Sequence, residues 1–167
     1  EVDSQQGFGS TFTLFLPVRD AGSEGTGPQV EYPKFFINPD VGGRILVVDD
    51  EANIRELISQ TLSLQGYEVV TTDDGEEGLR IIRNEGVDLV LVDIQMPKMS
   101  GLDFLSQLKA LDVNQRPLAL VVTGKMSDAS QAAQNGLDVH ASLSKPFVID
   151  ELLSLVHDAM VKQRAVD

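Results

Sequence analysis

The sequence predicts an α/β fold, a doubly wound five-stranded parallel sheet with helices on both faces. Three observations carry this expectation. From Arg44 onward, five short apolar runs alternate with stretches of helical periodicity. The first of these runs, Ile45 to Val48, is continuous in hydrophobicity, as a strand covered on both faces can be. Each gap between them can hold a helix, which a parallel crossover requires.

The elements follow in order. Ile45-Leu46-Val47-Val48 is the first strand, and Ile54, Leu57, Ile58 and Leu62 then mark one face of a helix. Gly66 ends that helix, Tyr67 to Thr71 is the second strand, and Glu77 to Asn84 is a helix with Leu79 and Ile82 on one face. Val87 to Val92 is the third strand, and Leu102, Leu105 and Leu108 place a helix after it. Leu118 to Val122 is the fourth strand, with a weak helix from Ser127 to Gln134. Ala141 to Ser144 is the fifth strand. The last helix starts near Val148 and turns Ile149, Leu152, Leu153, Val156 and Met160 inward. No internal repeat is present.

The chain before Arg44 reads differently. Residues 1–17 are a glycine-punctuated turn and an alternating strand, Thr11 to Leu16, stopped by Pro17 and without an evident strand partner. Residues 18–42 read as a linker, rich in glycine between Ala21 and Pro28. Tyr32, Phe35, Phe36 and Ile37 form an apolar patch near its end, suited to docking on a neighbour or to local collapse. Residues 43–167 form the globular domain.

Composition narrows the function classes. With 42% hydrophobic residues among 167, the chain can bury a core of its own. Its 26 acidic residues against 13 basic ones give a net charge of −13, which repels a nucleic-acid backbone. No apolar run approaches the roughly 20 residues of a membrane span, so no direct membrane contact is expected of this segment. The absence of cysteine removes disulfides and thiolate metal sites from consideration.

The residues at the strand ends are the informative ones, because ligands of such sheets bind beyond the carboxyl ends of the strands. Asp49-Asp50 follow the first strand, Asp93 the third, Thr123 the fourth, and Ser144-Lys145-Pro146 the fifth. Singly, each has a structural explanation: a helix cap for Asp49-Asp50-Glu51, a turn for Asp93, a cap or turn for Thr123, a solvated charge for Lys145. Together they do not. Two carboxylates about 5 Å apart at an effective dielectric of about 20 repel by roughly 3 kcal/mol, and that repulsion should raise at least one carboxylate pKa. A Mg2+ ion relieves it, since this cation takes hard oxygen ligands, one or two of them carboxylates. A carboxylate beside such a metal can attack phosphorus and become an acyl phosphate. The Lys145 ammonium and the Thr123 hydroxyl would then meet two other phosphoryl oxygens.

The runs Ile45 to Glu51, Val92-Asp93-Ile94-Gln95-Met96-Pro97 with Ser100-Gly101, Val122-Thr123-Gly124 and Lys145-Pro146-Phe147 resemble the signature of two-component receiver domains. Spacings of 43, 30 and 22 residues separate Asp50, Asp93, Thr123 and Lys145 in turn. The resemblance covers about residues 43–165 and implies a flavodoxin-like strand order of 2-1-3-4-5. It implies Asp93 as phosphoacceptor and Asp50 as direct Mg2+ ligand, with Asp49 holding the metal through water. The Gln95 backbone carbonyl would be a further metal ligand, Thr123 the switch hydroxyl and Lys145 the phosphoryl-binding lysine. Pro146 favours extended backbone before it, and Gly124 keeps the approach open. The implied donor is a phosphohistidine, on a histidine kinase or a histidine phosphotransfer protein.

Two departures stand out. Ser142 occupies the place, three residues before the lysine, where many members carry an aromatic switch residue. The helix before the fifth strand offers only Ala129, Ala132 and Ala133 to the core and ends early at Asn135-Gly136. His140 and His157 are read as structural or surface residues, not phosphodonors.

Gly7-Phe8-Gly9 and the strand through Leu16-Pro17 are similar to the last glycine box and final strand of the ATP-binding domain of sensor histidine kinases. On that resemblance, residues 1–17 are the end of a kinase domain and the chain is the C-terminal receiver of a hybrid kinase. This segment would lack kinase activity of its own and would be cytoplasmic, whether or not the parent is membrane-anchored. Alternatives are a receiver not fused to a kinase, a flavodoxin-like binding module, a receiver with a DNA-binding output, and an aspartyl-phosphate phosphatase of haloacid dehalogenase type. The phosphatase would place an Asp-x-Asp nucleophile pair after the first strand.

Overall fold

The computed structural model describes residues 2–5, 9–12 and 42–164, apart from a few side chains. The chain divides into two units, residues 1–32 and 33–167. The expected linker up to residue 41, the Tyr32–Ile37 patch, strand residues 13–16 and the Ala129 side chain lie outside the described residues.

In the first unit, β1 (Val2–Gln5) pairs antiparallel with β2 (Gly9–Phe12), from Val2 opposite Phe12 to Gln5 opposite Gly9. The strand expected to lack a partner therefore has one, in a segment whose polar residues Asp3, Ser4 and Gln5 hide it from a hydrophobic pattern.

The second unit alternates strand and helix throughout. β3 (Arg44–Val48), β4 (Glu68–Thr72), β5 (Leu89–Asp93), β6 (Leu118–Thr123) and β7 (Ala141–Ser144) form one parallel sheet in the order β4-β3-β5-β6-β7. Counted within this unit, that is the order 2-1-3-4-5. The crossovers are α1 (Ala52–Leu64), α2 (Gly75–Glu85), α3 (Gly101–Lys109) and α4 (Met126–Gln134). The fifth helix, α5 (Ile149–Arg164), follows β7. A short 3-10 turn, Val113–Gln115, precedes β6.

The sheet divides the core in two. Leu46 and Val48 of β3 point to the face covered by Leu79, Ile82, Phe104, Leu108 and Ala132. Their neighbours Ile45 and Val47 point to the face covered by Ile58, Leu62, Leu152 and Val156. The two-residue period of the strand thus feeds α2, α3 and α4 on one side and α1 and α5 on the other. Ile58 and Leu62 are wholly buried, each burial contributing roughly 1.5–3 kcal/mol. Leu57, expected on the same face, is 43% exposed, because the covered stripe of α1 is narrower than its apolar spacing suggests.

Local signals set the helix ends. The Asp74 carboxylate accepts from the backbone N–H groups of Glu76 and Glu77 and caps α2, which starts two residues before the expected Glu77. Ser100 caps α3 by accepting from Asp103 N–H at 3.1 Å, while its hydroxyl donates to the Asp103 carboxylate. α1 stops before Gly66, which adopts φ +90°, a conformation that favours glycine. Among the described residues, no helix is long and apolar enough to cross a membrane.

Candidate functional site

Asp49 leaves the end of β3, Asp93 is the last residue of β5, Thr123 is the last of β6, and Lys145 directly follows β7. Parallel register brings these ends to one edge: Asp93 lies opposite Val122, and Thr123 opposite Ser144. Asp49, Asp93 and Thr123 are buried, whereas Asp50 is exposed at the rim.

Asp49, Asp50 and Asp93 each offer a carboxylate oxygen within 4.8 Å of the others. The Lys145 ammonium donates to Asp49 Oδ2 at 2.8 Å, to Asp93 Oδ2 at 2.8 Å and to Glu51 Oε1 at 2.9 Å. The repulsion expected among the acids is thus offset from within the chain by one cation. The remaining oxygens are also used: Asp49 Oδ1 accepts from Glu51 N–H at 2.8 Å and Asp93 Oδ1 from Gln95 N–H at 2.9 Å.

The electrostatics follow from burial and these bonds. Burial raises the Asp49 carboxyl above its ordinary 3.8, against the hydrogen bonds from Lys145 and Glu51 N–H; the charge of Asp93 adds a smaller upward push. The raised carboxylate is therefore mainly a desolvation effect, with mutual repulsion second to it. Burial alone would lower the Lys145 pKa, but hydrogen bonds to Asp49, Asp93 and Glu51 outweigh it and hold the ammonium well above the usual lysine value. Lys145 is a committed cation at neutral pH.

Thr123 sits at the same edge with its hydroxyl otherwise engaged. Its Oγ1 accepts from Lys125 N–H at 3.2 Å and lies 3.3 Å from the Lys125 carbonyl, closing a turn beyond β6. Gln95 is exposed two residues after Asp93. The Lys145–Pro146 peptide is cis. Ser142 is half-buried in β7, opposite Val121, and His140 and His157 lie outside the acid cluster.

Three supporting residues carried no clear signal in the sequence. Glu51 looked like a helix cap, yet as N-cap of α1 it makes no side-chain cap bond and turns to Lys145 instead. Arg55 reaches back to donate to the Asp49 carbonyl at 2.6 Å, fixing the backbone that aims Asp49. Gly101 donates its N–H to the Ile94 carbonyl at 2.9 Å, and a Cβ there would overlap the Asp93 carbonyl. Ser100-Gly101 was visible in the sequence, but its contact with the strand end was not.

This arrangement coincides with a match of residues 45–157 to the response regulator receiver domain model. The chain belongs to the response regulator receiver domain family. Its receiver is similar to the sporulation initiation phosphotransferase F of Bacillus subtilis, 33% identical over 113 residues that cover 68% of this chain and 90% of that protein. It is also 34% identical over 116 residues to the transcriptional regulatory protein GlrR of Escherichia coli, covering 70% of this chain and 26% of GlrR. The chain therefore spans about a quarter of that relative's length. Among solved structures, the response regulator TrrA from Thermotoga maritima, in complex with Mg2+-BeF, is 34% identical. It superposes with a TM-score of 0.63 over 70% of this chain and 98% of that one. The receiver is thus a module of two-component signalling, with the flavodoxin-like strand order that the resemblance implied.

Proposed function

We propose that this receiver takes a phosphoryl group onto Asp93 from the phosphohistidine of a histidine kinase or a phosphotransfer protein. The observation that carries the reading is the shared lysine: Asp49 Oδ2 and Asp93 Oδ2 both lie 2.8 Å from Lys145 Nζ, at one sheet edge. Asp93 is buried and charge-paired, so its carboxylate is already aimed where phosphorus must arrive. A carboxylate oxygen of Asp93 bonds to phosphorus, the bond from phosphorus to the donor imidazole nitrogen breaks, and the electron pair stays on that nitrogen. Lys145 meets one phosphoryl oxygen with its ammonium, and Thr123 exchanges its Lys125 partners for another.

Three carboxylates within 4.8 Å form a hard-oxygen donor set that fits Mg2+. Asp50, Asp93 and the Gln95 carbonyl would hold the ion directly and Asp49 through water. When bound, Mg2+ neutralises charge on a phosphoryl oxygen. The mass of the protein after incubation with acetyl phosphate and Mg2+ tests the assignment: one phosphoryl group is expected, absent in Asp93→Asn. Full labelling of that variant would overturn it.

We further infer that the receiver is the C-terminal module of a hybrid sensor histidine kinase and works in the cytoplasm. Support comes from the Gly7-Phe8-Gly9 box, whose last glycine opens β2, and from the glycine-rich stretch of sequence before the receiver. Residues 1–17 alone cannot enclose a nucleotide, so calorimetry should find no ATP binding to this chain. The coding sequence upstream should encode the remaining nucleotide pocket and a phosphodonor histidine.

A further inference from the structure

An ammonium carries three N–H donors, and all three of Lys145 have carboxylate acceptors. The three acceptors are not equivalent. Asp49 and Asp93 are buried and each is fixed by a backbone N–H through its second oxygen. Leaving either without its cation costs a buried charge its partner. Glu51 is different, with a side chain 59% exposed that water can solvate in full. It starts a helix without capping it, and its carboxylate reaches 2.9 Å from an ammonium that two acids already neutralise.

We propose that Glu51 is a positioning residue for Lys145, a releasable tether that occupies the third ammonium N–H until a phosphoryl oxygen on Asp93 claims it. This rests on the reading that Lys145 meets the phosphoryl group. A phosphoryl group brings close to two negative charges and three acceptor oxygens to an edge where one ammonium is already shared among three carboxylates. Lys145 must redistribute its donors, and Glu51 is the acceptor whose release costs least, because exposed ion pairs of this kind contribute little. Glu51 also draws the ammonium toward the start of α1, so it competes with the phosphoryl group for the same cation. The tether therefore sets how tightly a phosphoryl-like ligand is held.

Beryllofluoride binding at saturating Mg2+, followed by amide shifts in the full chain, tests this through a double-mutant cycle. Glu51→Gln should bind beryllofluoride about two- to fivefold tighter than the parent, as expected for loss of a partly exposed competing ion pair. The gain should vanish in the Lys145→Met background, where no ammonium remains to be released; Lys145→Gln replaces that background if Lys145→Met does not fold. The Lys145 Nζ resonance should also shift in Glu51→Gln without ligand. If Lys145→Met binds beryllofluoride as well as the parent, the reading of Lys145 itself fails. If Lys145→Met weakens binding but Glu51→Gln leaves affinity unchanged, the tether alone is overturned. An equal gain with and without Lys145 would also overturn it, since a general charge effect would then be acting.

Discussion

Asp49 and Asp93 are held by the same device from two different strands. Each turns Oδ1 to the backbone N–H two residues further on, and each turns Oδ2 to the ammonium of Lys145. Two buried carboxylates are thereby locked in rotamer and share one counter-charge before any ligand arrives. If Asp93 takes the phosphoryl group as proposed, pre-organisation of this kind lowers the cost of assembling the transition state around it.

Removal of the lysine should expose what it balances. In metal-free Lys145→Met, Asp49 and Asp93 remain buried with no cation between them, and the cost should be about 3 kcal/mol. Urea unfolding should show this loss, and Mg2+ should restore much of it, because the ion supplies the missing positive charge. A loss that Mg2+ does not change would mean that the lysine acts through packing of its stem.

Asp49 and Lys145 shift stability in different pH windows. Asp49 has a raised folded pKa, so the native state holds its proton more tightly than the unfolded chain. Its contribution to stability is fully present below 3.8 and is lost as pH rises through the raised value. Lys145 is raised as well, so its contribution persists from neutral pH to 10.5 and is lost only above that. In metal-free protein, stability should therefore decline as pH rises above 3.8 and through the raised Asp49 value, and Asp49→Asn should flatten that slope. Denaturant midpoints across pH measure it; a slope unchanged in the variant would assign it to other groups.

Gly101 should be the glycine to which the site is most sensitive. A Cβ there meets the Asp93 carbonyl and the Ile94 Cα, backbone atoms that cannot yield without moving Asp93. Gly101→Ala should cost roughly 1–3 kcal/mol and also slow labelling by acetyl phosphate. Gly66→Ala is the control, with φ +90° and no atom within 4 Å of the added carbon. It should cost about 1–2 kcal/mol through backbone strain, with labelling unaffected. Equal labelling in the two variants would show that Gly101 serves the fold alone.

These residues also mark how far the sequence could be read. The central strands were legible because Ile45 to Val48 and Leu89 to Val92 are apolar on both faces, as strands of a parallel sheet covered on both sides are. By contrast β4 and β7, with Glu68, Thr71, Ser142 and Ser144, were placed by their alternation with helices. The acids at the strand ends followed from that frame, since chain order dictates which residues reach the carboxyl edge. Side-chain direction was not legible. Glu51 has the spacing of a cap and the geometry of a lysine partner, while Leu57 has the spacing of a core residue and is 43% exposed. β1 leaves no signal in the sequence, because its polar residues carry no period that a buried face would impose.

A phosphoryl group on Asp93 would be felt first at Thr123. The Thr123 hydroxyl is engaged with the Lys125 backbone, so drawing it toward Asp93 breaks that turn and must move residues 124 and 125. Lys125 is also the N-cap of α4 and makes no side-chain cap bond, which leaves that end of the helix little to resist with. The other end is pinned. Lys109 donates to the Gly136 carbonyl at 2.5 Å, and Arg116 binds the carbonyls of Lys109 and Leu111 and the Asp138 carboxylate. Ser142 lies beyond that anchor with little apolar surface to bury, so no inward-turning ring rewards a rearrangement of β7. Driving a population from 1:99 to 99:1 takes about 5.5 kcal/mol, and the loss of even roughly 1–2 kcal/mol leaves both states populated. Amide shifts on adding beryllofluoride and Mg2+ should therefore concentrate in residues 123–128, with small, incompletely saturating changes at 137–144. Large, saturating changes across 137–144 would show that the Lys109 and Arg116 anchors yield and that another group fills the space Thr123 leaves.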